Sequence, residues 1–306
     1  MASSTFFICG ATGTQGGAVI NHLLKAGAQV HAITRNLETP AAQSLQSRGV
    51  SLVQGNFDDP EILKQSIQGC TAVFLNLMPD LRVPNTQLKQ AENILSAAKE
   101  AGVKHIVYSS GFAANEPQRC KHWDPNSFVA KILLNKQSIE NQVRSSGFES
   151  WTLLRPGNFM SNYLQPLVKM YAGFVDTGVW TTALLPETKL AMVDPNDIGA
   201  FGAAALLDPV RFHAKEIEIA SELLHVEDVM EALSRATGRD LKAVFLSQEE
   251  AETQATQNPF IEGQLLMRDI AQFVELEQVK TWGLPLGTFE EFLQREQERV
   301  KATWLI

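Results

Sequence analysis

The sequence has little from which to build a metal site or a disulfide framework. Its 306 residues include three cysteines, Cys9, Cys70 and Cys120. They form no C-x-x-C pair, and no His, Cys or carboxylate cluster has ligand spacing, so no metal is expected. So sparse and odd a count fits a reducing compartment. Basic runs are also missing. There are 26 Lys and Arg against 34 Asp and Glu, a formal net charge of −8. A nucleic-acid surface needs clustered cations, so that class of partner is not expected. No stretch of about 18 apolar residues exists, so no membrane span is expected. The N-terminus lacks the basic segment followed by an apolar one that marks a secretory leader. A soluble, cytoplasmic protein is the expectation.

What remains is ordinary globular composition. Apolar residues make up 44% and charged residues 20%, enough for a packed core. The length allows one large or two modest domains. Strand-length apolar runs alternate with helical patterns through the first half: strands at Thr5–Cys9, Gln29–Thr34, Ser51–Gln54, Thr71–Leu77, His105–Ser109 and Ser150–Leu154, with helices between them. That alternation predicts a parallel sheet covered on both faces. After Arg155-Pro156-Gly157 the rhythm changes. Leu164–Tyr171 reads as helical, Lys189–Val193, Glu216–Ala220 and Lys242–Leu246 as short strands, and Pro195–Leu207, Val226–Thr237, Glu249–Thr256 and Thr288–Ala302 as helices. The expected division is 1–157 as a dinucleotide-binding domain and 158–306 as a smaller substrate lobe, some of whose elements return to the main sheet.

The first strand runs into Gly10-Ala11-Thr12-Gly13-Thr14-Gln15-Gly16-Gly17, and the turn runs into a helical pattern. Strand, glycine turn and helix together give a glycine motif its meaning. Gly10 allows a sharp exit from the strand. Gly13 admits a diphosphate close to the backbone, and Gly16 or Gly17 lets the helix approach the sheet. The N–H groups of the first turn, with Thr12, Thr14 and Gln15, then face the phosphates. The spacing is G-x-x-G-x-x-G, with the middle glycine one residue later than in G-x-G-x-x-G. Arg35 stands 19 residues past Gly16, where an NAD site carries a carboxylate; the nearest acid is Glu38. A guanidinium offers a 2′-phosphate a fork of charge-assisted bonds, so NADP is the expected cofactor. Asn56, Phe57 and Asp58 close strand three on the adenine side. Asn76, Leu77 and Met78 close strand four beneath the ribose and diphosphate.

The turn Gly10–Gly17, the Arg35 end of strand two, Gly55-Asn56-Phe57-Asp58, Trp151-Thr152-Leu153-Leu154-Arg155-Pro156-Gly157-Asn158-Phe159-Met160 and Val193-Asp194-Pro195-Asn196-Asp197-Ile198-Gly199 resemble the NmrA-like branch of the atypical short-chain dehydrogenases/reductases. The resemblance covers most of the chain. It implies an α/β fold: a Rossmann-type doubly wound parallel sheet with a smaller, mixed α/β C-terminal substrate lobe. Relatives include quinone and phenylpropanoid reductases, many fungal members serve secondary metabolism, and some bind the dinucleotide as regulators.

The resemblance implies a catalytic lysine at Lys136, eleven residues before Gly147. The position four residues earlier, a tyrosine in active short-chain dehydrogenases, is Ile132, which cannot relay a proton. Gly111 falls where a hydroxyl is wanted, and Ser110 is the candidate substitute. Phenylpropanoid reductases rely on the lysine as the main acid/base. Pro156 and Phe159 are expected to line the nicotinamide face, with Asn158 bonding its carboxamide. His122 is a candidate proton donor and Trp123 a candidate wall. Phe159, Met160, Tyr163, Met170, Tyr171, Phe174 and Trp180 read either as an apolar pocket or as plain core. The expected function is NADP(H)-dependent reduction of a small apolar carbonyl, quinone or enone. The alternatives are a redox-sensing regulator that binds NADP(H) without catalysis, and a non-redox enzyme, such as an isomerase or dehydratase, that keeps NADP as structure.

Overall fold

The computed structural model describes residues 4–80, 83 and 85–305. The chain forms two compact units. One comprises Met1–Ala114, Ile132–Arg155 and Ile198–Ile217; the other comprises Asn115–Lys131, Pro156–Asp197 and Glu218–Ile306.

In chain order the first half runs β1 (Thr5–Ile8), α1 (Thr14–Lys25), β2 (Gln29–Thr34), α2 (Pro40–Ser47), β3 (Ser51–Gln54), α3 (Pro60–Ile67), β4 (Ala72–Leu75), α4 (Thr86–Glu100), β5 (His105–Ser109), α5 (Phe128–Ser145) and β6 (Ser150–Pro156). Local chemistry sets the helix starts. The Thr39 hydroxyl accepts from Ala42 N–H at 3.2 Å. The Asp59 carboxylate accepts from Glu61 and Ile62 N–H at 3.1 and 3.2 Å, and Pro60 begins α3 where its missing N–H costs nothing.

The remaining elements are β7 (Asn158–Phe159), α6 (Phe174–Thr177), β8 (Val179–Thr182), β9 (Lys189–Val193), α7 (Pro195–Leu207), α8 (Pro209–Phe212), β10 (Lys215–Ile219), β11 (Glu222–His225), α9 (Val226–Thr237), β12 (Lys242–Phe245), α10 (Gln248–Ala255), α11 (Pro259–Met267), α12 (Leu276–Lys280), α13 (Phe289–Arg295) and α14 (Gln297–Trp304).

The main sheet has the order β10-β6-β5-β4-β1-β2-β3. The pairs from β3 through β6 are parallel. The chain winds outward from β1 to β3, then crosses back to β4 on the other side of β1. This is the expected Rossmann-type, doubly wound arrangement, with its switch point between β1 and β4. Because the strands are parallel, their carboxyl ends share one edge. Neighbouring residues of β4 serve opposite faces. Val73 and Leu75 pack with Leu63, Ile67, Ile94 and Ile139, whereas Phe74 meets Gly202 of α7.

Helix α7 settles where Pro195–Leu207 belongs: from Ile198 onward it packs on this unit. A Cβ on Gly199 would lie 2.6 Å from the Ala18 carbonyl carbon. That obstacle is backbone, so Gly199→Val is expected to destabilise by about 1–3 kcal/mol. A lower urea midpoint with an unchanged m-value checks it. The strand expected at Glu216–Ala220 is β10, the edge strand beside β6 in the main sheet.

The second unit has a three-stranded sheet, β11-β9-β7, and a pair, β12-β8. Its core gathers Met160, Tyr163, Tyr171, Phe174 and Trp180 with Phe289, Phe292 and Trp304. Tyr163 and Tyr171 stack at 5.6 Å, so these aromatics are core, while Met170 is exposed. The helix expected at Leu164–Tyr171 is only a 3₁₀ turn, Leu167–Met170. Pro166 lacks an N–H and disfavours helical backbone before it. The helix expected at Thr288–Ala302 is interrupted at Glu296, whose φ of −93° and ψ of 22° leave the helical well.

Candidate functional site

Five strand ends deliver polar loops to the carboxyl edge of the main sheet. After β1 the chain turns at Gly10, with φ of +64°, and Gly13 N–H closes on the Gly10 carbonyl at 2.9 Å. A Cβ on Gly16 would stand 2.4 Å from the Gly10 oxygen and 2.6 Å from the Cys9 oxygen. Only glycine lets α1 start this close to β1. Gly13 is the N-cap of α1, no side chain among the described residues caps the helix, and its first turn carries no acid. Thr12, Gly13 and Thr14 are exposed. The result is a cradle of backbone amides at the positive end of a helix dipole, suited to an anion.

Gln15 fastens this cradle to its neighbours. Its Nε2 donates to Asn76 Oδ1 at 3.2 Å, past the end of β4. Its Oε1 accepts from the Ser109 hydroxyl at 2.6 Å, at the end of β5. Past β2, Arg35 is exposed, and no group among the described residues engages its guanidinium. Past β3, Asn56 Oδ1 accepts from Asp58 N–H at 2.8 Å. Asn93 of α4 donates to the Phe57 carbonyl at 3.0 Å, and Gln90 donates to the Asp58 carboxylate at 3.2 Å. Leu77 is buried with its carbonyl accepting from Gln87 Nε2 at 2.9 Å, and Met78 is exposed.

Past β5 lies the chemistry. Lys136 of α5 donates from Nζ to the Ser110 carbonyl. A Cβ on Gly111 would come within 3.2 Å of that nitrogen, so the glycine leaves room for the amine at the strand end. Burial lowers the Lys136 pKa from 10.5 to about 8, against an opposing pull from Glu140. Near neutral pH the amine holds a proton it can release. The Ser110 hydroxyl is buried and donates to Glu140 at 2.6 Å. Ile132, the residue at the usual tyrosine place, lies on α5 one turn before Lys136 and has no proton to give.

Glu140 is fully buried. Instead of pairing with Lys136 one turn earlier, it takes both arms of Arg155: Nε at 2.8 Å and Nη2 at 2.7 Å. Arg144 adds a third contact at 2.9 Å. Burial would raise the pKa of Glu216, but Arg144 and Arg155 outweigh it and hold that carboxylate below its ordinary range. Sequence reasoning missed this network and the Ser109–Gln15 bond. The available signal was Arg155 itself, a cation closing an apolar strand, which needs a buried counter-charge.

The other expected residues lie in the second unit. Pro156 is buried. The Asn158 amide donates to Tyr163 Oη at 3.4 Å, and its oxygen accepts from Asn162 at 3.0 Å. Phe159 is half-buried on β7. His122 lines a pocket of about 280 Å³ with Lys121, Leu185, Thr188, Arg268 and Asp269. Burial, Arg268 and Lys121 lower the His122 pKa. The acids of Val193–Gly199 are structural. Asp194 pairs with Arg295 at 2.7 Å, and Asp197 accepts from the Ser221 hydroxyl and Gly287 N–H at 2.7 and 2.8 Å.

All three cysteines are free and buried, and burial pushes the Cys9 thiol up to about 12. Among the described residues no group of three or more His, Cys, Asp or Glu is placed to hold a metal, and no helix is long and apolar enough to cross a membrane.

Residues 2–293 match the model of the NmrA-like family. An NmrA-like family domain-containing oxidoreductase of Aspergillus japonicus, himF, is 31% identical over 255 residues, covering 78% of this chain and 75% of the relative. An NAD(P)H azoreductase of Xenophilus azovorans is 31% identical over 253 residues, covering 81% and 79%. Among solved structures, a new type of NADPH-dependent quinone oxidoreductase from Escherichia coli superposes with a TM-score of 0.72 at 24% identity, covering 95% of this chain and 98% of that one.

Proposed function

Because the chain belongs to the NmrA-like family, we propose that it is an NADP(H)-dependent oxidoreductase of the cytoplasm, acting on a small apolar carbonyl, quinone, enone or azo acceptor. The cradle fits a dinucleotide. Gly16 has no room for a Cβ, and the α1 amides are uncapped among the described residues. Gly10, Thr12, Gly13, Thr14, Gln15 and Gly16 would hold the diphosphate, and Arg35 the 2′-phosphate. Asn56, Phe57 and Asp58 would border the adenine, and Asn76, Leu77 and Met78 the adenosine ribose. When bound, the dinucleotide would supply a hydride to an electron-poor carbon or nitrogen.

Lys136 carries the reading. Its amine is held at the end of β5 by the Ser110 carbonyl, with its pKa brought down to about 8 by burial. That value lets one group keep a proton at pH 7 and give it to a nascent oxyanion or enolate, work that general acids normally perform near their own pKa. Ile132 leaves no tyrosine to share the task. Ser110 has its hydroxyl committed to Glu140, so the proton is assigned to Lys136 and not to the serine. The activities named for the relatives support a conjugated acceptor.

Stopped-flow NADPH consumption over a panel of quinones, enones, azo dyes and aldehydes tests the function. Saturable oxidation by at least one acceptor class is expected. Tight dinucleotide binding with no oxidation by any class would sink the enzyme reading and leave a regulator.

A further inference from the structure

Ser110 is gripped from two sides. Its carbonyl accepts from Lys136 Nζ, and its hydroxyl donates to Glu140 Oε1 at 2.6 Å. Lys136 and Glu140 lie one turn apart on α5, so the helix holds the end of β5 through both the main chain and the side chain of one serine. Ser110 N–H is meanwhile fixed to the Leu154 carbonyl at 2.9 Å, which ties the same residue to β6.

Glu140 cannot swing away, because Arg155 takes both its oxygens from inside the unit and Arg144 reaches it from the next turn. Glu216 balances the guanidiniums from β10. The network therefore holds two carboxylates and two guanidiniums, and the Lys136 amine is the odd charge beside it. A buried ion pair rarely stabilises more than apolar side chains of the same volume. Its placement one serine away from the half-buried Lys136 amine gives it something else to do.

We propose that Glu140 is a positioning residue for Lys136: clamped by Arg155, its carboxylate fixes Ser110, and the Ser110 carbonyl holds the lysine amine in the orientation from which it exchanges its proton. This rests on the reading of Lys136 as the proton donor. Two consequences differ from those of a merely structural ion pair. The Glu140 charge favours the ammonium form, so removing it should lower the affinity of Lys136 for its proton. Cutting the serine link should disturb turnover without that change in charge.

The test uses Glu140→Gln and Ser110→Ala. Each is read by the pH dependence of Lys136 acetylation with acetic anhydride, quantified by peptide mass spectrometry on cofactor-free protein, and by the pH profile of NADPH oxidation. In Glu140→Gln the labelling midpoint is expected to fall, with several-fold faster labelling at pH 7, and the basic limb of the rate profile should move down with it. In Ser110→Ala, kcat should fall several-fold while KM for NADPH holds. Folded variants with wild-type labelling, pH limb and kcat overturn the proposal. If Glu140→Gln fails to fold because Arg155 loses its partner, Ser110→Ala decides, and an unchanged kcat overturns the link. Labelling does not depend on turnover. A protein that oxidises no NADPH would sink the donor role, while the labelling shift would still judge whether Glu140 governs the amine.

Discussion

Lys136→Ala is expected to lower kcat/KM for NADPH oxidation by about 10²–10⁴-fold, the usual contribution of a positioned general acid. The Km for NADPH should change much less, because the α1 amides and Arg35 are untouched. The pH profile carries the sharper signature. In the wild-type protein the reductive rate should fall as pH rises through about 8, where the amine loses its proton. The alanine variant should lose that limb. Lys136→Arg should be equally slow even though it keeps the positive charge, since a guanidinium does not release its proton in this range. An arginine variant with near-wild-type activity would show that charge, not proton transfer, is what the position supplies.

The same residue has a stability signature. Burial holds its folded-state pKa near 8, below the ordinary 10.5. Between those values the unfolded chain binds more protons, so this group's contribution to stability rises with pH there. Below about pH 8 the penalty for burying the ammonium is fully present. The alanine variant should lack the rise, as read from urea midpoints across that range.

Arg35→Ala is expected to weaken NADPH binding by about ten- to a hundredfold and to leave NADH affinity unchanged. Charge-assisted bonds contribute about 1.5–3 kcal/mol, and each 1.4 kcal/mol is about a factor of ten. The guanidinium follows β2 on the same sheet edge as the cradle, is exposed, and has no competing partner among the described residues. Arg35→Asp should go further and favour NADH, because a carboxylate repels a 2′-phosphate but accepts from a 2′-hydroxyl. Titration calorimetry with both dinucleotides measures the ratio. Equal losses for the two would remove Arg35 from cofactor choice.

Much of the fold was legible because its signals are local. A parallel strand buried on both faces is apolar throughout, as β4 is, and Asp59-Pro60 and Thr39-Pro40 announce helix starts without reference to anything distant. The second half was less legible. β8 and β11 are short strands with mixed patterns, and their assignment depends on partners far along the chain. β10 shows the same limit: its sequence reads as a strand, but only pairing with β6 assigns it to the main sheet.

By itself, then, the sequence determined a glycine turn between a strand and a helix, an arginine where a carboxylate would select NAD, and a lysine on the helix after β5 without its tyrosine. The first two follow from spacing within a few turns of chain, the range at which steric and propensity rules act, and the lysine and its missing tyrosine follow from the family resemblance. Only the tertiary structure decided that Gly16 meets the Cys9 and Gly10 oxygens, that Gln15 reaches Asn76 and Ser109, and that Glu140 takes both arms of Arg155. Those contacts join residues as many as 94 positions apart. The reason is energetic: a buried charge or polar group must find a partner wherever packing brings one, and that choice belongs to the folded chain as a whole.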